Sequence, residues 1–267
     1  MTRVLVIGDV INDVLVEMPA DLAPGADNPA AIRARPGGSA ANQAAWLAHL
    51  GLDVVFAGRA GAGDVEFHRR QLAGFGVDPR LAADDEVPTG AIVVLIGPDG
   101  ERTMVTDRGA NARLRPADVP ANLLEDVALL HLTGYSFFAG QTRGIVKEII
   151  KAARRRGVPV TVDPGSAAFL AMLKPGAFAE WTRGAAVCFP NADEAAVLTG
   201  ASDPAVMAGV LSGCYDAVAV KLGADGAVCA AAGAAPVRVA AVPARVRDTT
   251  GAGDAFCAGF LAAWLAG

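Results

Sequence analysis

Four cysteines, three histidines, three tryptophans and two tyrosines are all that 267 residues hold of these types, and each scarcity excludes something. Cys188, Cys214, Cys229 and Cys257 stand apart with no C-x-x-C pair, so no secreted disulfide framework is expected, and a reducing cytoplasm is. His49, His68 and His131 lie scattered in apolar surroundings, where structural histidines outnumber metal ligands, so no transition-metal site is predicted. Positive charge is short as well. Twenty-three basic residues face 28 acidic ones, a formal net charge of -5, and the one basic cluster, Arg154 to Arg156, ends a helix before Gly157; no nucleic-acid partner is expected. No apolar run is long enough to span a bilayer, and residues 4–7 are too few for a signal segment, so no membrane partner is expected either. Two phosphate-binding signatures are missing too. There is no G-x-x-x-x-G-K-[ST], and the first strand runs into Gly8-Asp9-Val10 instead of G-x-G-x-x-G, which removes P-loop kinases and Rossmann dehydrogenases.

What the chain has is an alternation of short β-branched runs with amphipathic stretches. Residues 4–7, 54–57, 129–133, 158–163, 186–189 and 217–220 read as strands, and 39–50, 65–75 and 142–156 as helices. This predicts an α/β fold with a doubly wound, mainly parallel sheet between two helix layers. Residues 12–18 and 30–35 are short and extended, and 90–96 with 101–107 read as a hairpin around Gly97-Pro98-Asp99-Gly100. These break the rhythm and predict a small inserted β-sheet, a lid formed by segments at about 12–36 and 88–108 of a single domain over 1–267. Alternation of Ile92, Val94 and Ile96 gives that sheet an apolar face, which pairing of two lids in a homodimer would bury. Alanine-rich patches at 230–235 and 240–244 suggest peripheral strands or loops.

The densest chemistry lies near the C-terminal end. Arg247-Asp248-Thr249-Thr250-Gly251-Ala252-Gly253-Asp254-Ala255-Phe256 is a glycine-rich turn opening an apolar helix over 255–266. Gly251 and Gly253 let backbone pass close to a ligand, and the unpartnered first-turn amides of Gly251, Ala252 and Gly253 suit an oxyanion or phosphoryl group. Asp254 stands beside them, able to take a proton from an attacking hydroxyl. A plain helix cap is the alternative for Asp248, Thr249 or Asp254, but a cap needs neither two glycines nor two threonines.

The string from Asp248 to Phe256 resembles the C-terminal signature of the ribokinase-like (PfkB) sugar kinase family. Arg35-Pro36-Gly37-Gly38-Ser39-Ala40-Ala41-Asn42 resembles its N-terminal signature, a Gly-Gly followed after three residues by Asn. On physics alone, Gly37 and Gly38 are equally turn residues before a helix with Trp46, Leu47 and Leu50 on its core face. The resemblance implies a three-layer α/β/α kinase that uses ATP and Mg²⁺, with K⁺ as a further expectation, to phosphorylate a hydroxyl of a sugar or nucleoside. It implies Asp254 as base, the Gly251–Gly253 amides as anion hole, and Gly37, Gly38, Asn42 and Asp13 as acceptor-binding residues. Asp9 and Asn12, beside Asp13, are weaker candidates, and a local Asx turn is the alternative for this stretch. Lys221, Gly223, Gly226 and Thr250 are implied around the nucleotide, although the Lys221-to-Gly226 stretch by itself signals only a tight connection. Asn191 and Glu194 match an N-x-x-E motif that organises Mg²⁺ through water; their spacing equally fits a capping box. Asp248 is implied near a monovalent cation.

The sequence also departs from the family pattern. Ser39 stands where ribokinase has lysine, which weighs against ribose itself, and Asp163-Pro164-Gly165-Ser166 lacks the Asn and Arg of a D-x-N-x-R segment. Family members continue past the helix at which this sequence stops, Gly267. The expectation is a trimmed chain or an incomplete adenine pocket. The second case carries the alternative function, a non-catalytic sugar- or nucleoside-binding protein.

Overall fold

A computed structural model describes residues 2–174, 176–245 and 249–267. Along the chain run β1 (Arg3–Ile7), β2 (Ile11–Glu17), β3 (Ala31–Gly37), α1 (Ser39–His49), β4 (Asp53–Gly61), α2 (Val65–Gly74), β5 (Val77–Asp84), β6 (Thr89–Ile96) and β7 (Arg102–Gly109). Then follow β8 (Leu129–Thr133), α3 (Gly140–Arg155), β9 (Val160–Asp163), α4 (Ala167–Ala171), α5 (Ala177–Thr182), β10 (Val187–Cys188), α6 (Ala192–Thr199) and α7 (Pro204–Leu211). The last elements are β11 (Ala217–Lys221), β12 (Ala227–Ala231), β13 (Val237–Val239) and α8 (Ala252–Ala266).

Nine of these strands form one sheet in the order β13-β12-β11-β10-β9-β8-β1-β4-β5. Pairing is parallel from β11 through β5, and only β11–β12 and β12–β13 are antiparallel. Period-two alternation splits its core. Val4 and Val6 face Leu47 of α1 and Leu261 of α8, whereas Leu5 and Ile7 face Val146 and Ile150 of α3. Both faces are therefore covered by helices, which is why the strands read as continuous apolar runs. Among the described residues no helix is long and apolar enough to cross a membrane.

The predicted strands all form, but β5 is an addition. It carries Pro79 and polar residues and is tolerated because it is the edge strand, where a missing N–H leaves no ladder partner stranded. The 230–235 patch contributes the end of β12, and 240–244 forms no strand. The expected core face of α1 needs correction. Leu47 is buried with Ala40 and Ala44, but Trp46 is 42% and Leu50 48% exposed. At 100° per residue, the 40, 44, 47 stripe turns position 46 onto the same flank as Asn42, away from the sheet.

The remaining four strands make a second sheet in the order β3-β2-β6-β7. The hairpin closes as expected: Gly97 N–H donates to Glu101 O at 2.9 Å, and Gly100 takes φ +82°. Ile92 and Val94, expected on a face open to a second subunit, instead line the cleft between the sheets. Their neighbours Val93 and Leu95, pointing the other way along the same strand, are half-buried.

Candidate active site

Beyond the carboxyl ends of the parallel strands, under the second sheet, lies a cleft of about 690 Å³. It draws residues from across the sequence: Asp9 and Asp13 after β1, Gly38, Ser39 and Asn42 at the start of α1, Asp163 after β9, Asn191 and Glu194 at α6, Lys221 at the end of β11, and Thr250, Gly251, Gly253 and Asp254 at α8.

Asp254 is at the centre. It falls in the first turn of α8, whose N-cap, Gly251, takes φ +75°. Ser39 Oγ donates to its Oδ1 at 2.7 Å, Gln43 Nε2 to Oδ1 at 3.0 Å, and Asn42 Nδ2 to Oδ2 at 3.0 Å. Burial and the neighbouring Asp163 charge push the Asp254 carboxyl up to about 6, while those three donors pull the other way. In this structure Asn42 thus grips the carboxylate of Asp254. The Ala252 N–H, expected in the anion hole, donates to Thr249 O at 3.1 Å. Among the described residues, the N–H groups of Gly253 and Asp254 have no backbone acceptor, and these first-turn donors sit at the positive helix end.

Lys221 completes that positive pole. A Cβ placed on Gly253 would stand 3.6 Å from its Nζ, so the ammonium lies directly against the α8 terminus. Burial opposes its charge, but Asp163 at 3.0 Å, with Cys257 and Glu194, holds it protonated well above the usual lysine range. Gly223 and Gly226 do not line the cleft. Gly226 has φ +88°, and a Cβ there would meet Val239 O at 2.0 Å, so it serves the β11–β12 turn.

The opposite wall carries Asp13. Burial and Asp9 push its carboxyl up to about 6 against the pull of Arg35. Gly37 packs beneath it, where a Cβ would stand 2.2 Å from Asp13 Oδ2, and Gly38, at φ +105°, would drive a Cβ to 2.5 Å from Asp9 O. Asn12 is turned away: on β2, alternate side chains leave by opposite faces, and it donates to Asp64 Oδ2 at 2.6 Å and meets His68 Nε2 at 3.1 Å. It joins α2 to the second sheet and touches no part of the cleft.

Asn191 and Glu194 form the capping box. Glu194 N–H donates to Asn191 Oδ1 at 2.8 Å, and Asn191 donates to both Glu194 oxygens at 2.9 and 3.0 Å. Both carboxylate oxygens are therefore engaged, and Asp163 is occupied by Gln43, Lys221, Cys257 and the Gly165 N–H. Among the described residues no set of three acidic, histidine or cysteine groups is placed to chelate a metal. The arrangement suits an ion carried by phosphates and water at this wall, not one held by protein alone. Asp248, expected near a monovalent cation, lies outside the described residues.

Sequence reasoning did not single out Ser39 as a partner of the base, nor Gln43, Arg102, Arg108 or Tyr135. The available signal was a polar pair, Asn42-Gln43, inside an alanine-rich helix. Gln43 is fully buried; its amide donates to Asp254, Asp163 and Ser39, and its carbonyl accepts from His131 Nε2. Burial lowers His131 to about 4, so the ring is neutral, and Thr161 Oγ lies 2.8 Å from Nδ1.

The sequence model described as pfkB family carbohydrate kinase matches residues 1–267. The chain is 35% identical over 271 residues to an ATP-dependent ribose-1-phosphate kinase of Halopiger xanaduensis, covering 99% of this chain and 86% of that protein. An adenosine kinase from Sinorhizobium meliloti has a similar structure, with TM-score 0.87 and 26% identity, covering 100% of this chain and 88% of the other. Arabidopsis thaliana ribokinase complexed with ribose and ATP matches with TM-score 0.84 and 27% identity over 100% and 86%.

Proposed function

The chain belongs to the pfkB family of carbohydrate kinases, and on that premise we propose how the cleft divides the work of its reaction. That reaction is the ATP-dependent phosphorylation of a hydroxyl on a sugar-like small molecule. Asp254 is the general base. The acceptor lies between Asp13, Gly38 and Asn42 on one side and the second sheet, acting as lid of a single 1–267 kinase domain, on the other.

The γ-phosphoryl group meets the amides of Gly253 and Asp254 and the ammonium of Lys221, with Gly251 and Thr250 shaping the approach. As the acceptor oxygen bonds to phosphorus, its proton passes to the Asp254 carboxylate, and the bond to the β-phosphate oxygen breaks to leave ADP. A carboxylate is a weak base, but the loose transition state releases the proton late, so position counts for more than basicity. Glu194 and Asn191 would hold the water shell of a nucleotide-borne Mg²⁺, which would supply charge neutralisation there. K⁺ near Asp248, a homodimer formed through the lid and a cytoplasmic location complete the reading; the four free cysteines support the last.

The observation that carries this reading is the position of Asp254, in one cleft with an anion-binding pole on its own helix and a hydrogen-bonding wall at Asp13. The experiment is ADP release from Mg-ATP, with potassium present, across pentoses, pentose phosphates, hexoses, keto-sugar acids and nucleosides. Asp254→Asn is expected to fold and to lose roughly 10²–10⁴-fold in turnover. Near-normal turnover in that variant would remove Asp254 from the role, and binding without ADP release would favour a non-catalytic binder.

A further inference from the structure

The acceptor wall carries guanidinium groups that a neutral sugar does not call for. Arg35 from β3 and Arg108 from β7 line the cleft beside the carboxylates Asp9 and Asp13, and Arg102 of β7, which also lines it, donates to Thr250 Oγ at 2.6 Å. This basic cluster occurs on a chain whose net charge is -5. Register explains it: on β7, even-numbered positions face the cleft, and Arg35 stands opposite Asp13 on β3.

Arg108 is the best-prepared of the three. Its side chain is only 18% exposed, and its guanidinium lies over the Tyr135 ring, 4.7 Å from the centroid. One Nη1–H points to Asp9 Oδ2 at 3.5 Å, well beyond the usual length of a charge-assisted bond. Asp9 is not free to close that gap, because Oδ1 accepts from the Ala40 amide and from Thr133. No other acceptor engages the fork among the described residues. No buried side-chain polar atom there lacks a partner, so the remaining N–H groups are accessible on a residue that lines the cleft. A planar cation stacked on an aromatic ring, its backbone O held by Asn111 Nδ2 at 3.1 Å, is pre-oriented for two-point binding of an oxyanion.

We propose that the acceptor carries a negatively charged group of its own, a phosphate or carboxylate, seated in the fork of Arg108 with Arg35 alongside. The inference deepens the kinase reading, on which only its turnover arm rests. Asp13 and Asn42 then face the hydroxyl-bearing part of the same molecule. The anion end is read by the lid, so the acceptor is recognised when the lid lies over it.

The test compares ribose, ribose 1-phosphate and 2-keto-3-deoxygluconate by calorimetric binding and by ADP release, in the wild-type protein and in Arg108→Gln. One of the two anionic compounds is expected to bind on the order of 100-fold more tightly than ribose. Whichever does so identifies phosphate or carboxylate as the group. In Arg108→Gln the ratio of anionic to neutral binding should fall about tenfold or more, with the melting temperature checking the fold. Ribose binding as tightly as both anions overturns the proposal, as does a variant that weakens all three equally or a wild-type protein that binds none. If Arg108→Gln does not fold, the wild-type comparison decides alone. Anionic preference without ADP release would retain the inference and reject the kinase assignment.

Discussion

Gln43 and Asp254 are 211 positions apart in sequence, yet the Gln43 amide lies 3.0 Å from Asp254 Oδ1. The same nitrogen reaches Asp163 Oδ2 at 3.0 Å, so one amide from α1 sets the relative placement of two carboxylates of like charge. Replacing it with Leu leaves the buried His131 Nε2 donor unmet, whereas Asp163 keeps Lys221, Cys257 and the Gly165 N–H. Gln43→Leu is expected to cost roughly 1–3 kcal/mol for that orphaned donor, read from urea unfolding. An unchanged midpoint would mean that water or repacking replaces the amide.

The pH profile should carry the imprint of Asp254. Its carboxyl, ordinarily at 3.8, is raised to about 6, so the base form appears only as pH rises through about 6. Turnover is therefore expected to fall with unit slope below that point and to level off above it. Because the Gln43 hydrogen bond acts to lower this value, Gln43→Leu should move the acid limb upward. An acid limb near pH 4 in the wild-type protein would show that the group limiting the rate is not this one.

A buried ion network anchors the end of the sheet away from Lys221. Arg59, 4% exposed, donates to Asp84 at 2.7 Å and to both oxygens of Asp118 at 3.1 Å. Burial acts to raise the Asp84 carboxyl, but the hydrogen bonds from Arg59 and from the Glu86 and Val87 amides outweigh it and hold the group below the usual range. Arg59→Met removes the buried cation that joins the two carboxylates, but Asp84 keeps Arg113 at 3.1 Å and Asp118 keeps the Arg115 amide, so the cost is expected at the lower end, about 3 kcal/mol, at neutral pH. A carboxylate depressed in the folded state contributes stability above its ordinary value of 3.8, lost as pH falls further. The gap between wild type and Arg59→Met should accordingly narrow below about pH 4, and a gap independent of pH would contradict the assignment.

Gly38 tests the backbone of the acceptor wall. With φ +105° and a prospective Cβ at 2.5 Å from Asp9 O, Gly38→Ala faces both strain and a backbone clash. The strain alone is worth on the order of 1–3 kcal/mol. Relief by shifting the start of α1 would displace Ser39 and Asn42 from Asp254, so turnover should fall by more than the loss of stability predicts. Wild-type kinetics in a destabilised Gly38→Ala would separate the two effects and refute the coupling.

The sequence alone determined the architecture, because its signals are local and redundant. Short β-branched runs at regular spacing can bury both faces only between helix layers, and Gly97-Pro98-Asp99-Gly100 closes its hairpin by turn geometry that needs no distant partner. It also placed Asp254 at the first turn of a helix, since glycine before an apolar run is a local instruction. Resemblance added which motifs belong together, and the cleft brings Asp13, Asn42, Lys221 and Asp254 to one place. What the chain could not state is which flank of an element faces what. Trp46 and Leu50 satisfy a helical period that the core did not use, Asn12 leaves β2 by the face opposite Asp13, and Ile92 and Val94 alternate correctly but point into the cleft. Gly226 is implied as a ligand contact by resemblance, yet its φ of +88° and the Val239 carbonyl, 2.0 Å from where a Cβ would stand, place it in the β11–β12 turn. Asp163, Gln43, His131 and Lys221 come from four separate elements, and their mutual hydrogen bonds exist only after β9, α1, β8 and β11 are packed side by side. Periodicity specifies that a residue faces inward or outward along its own element; only the packing of elements decides what it meets there.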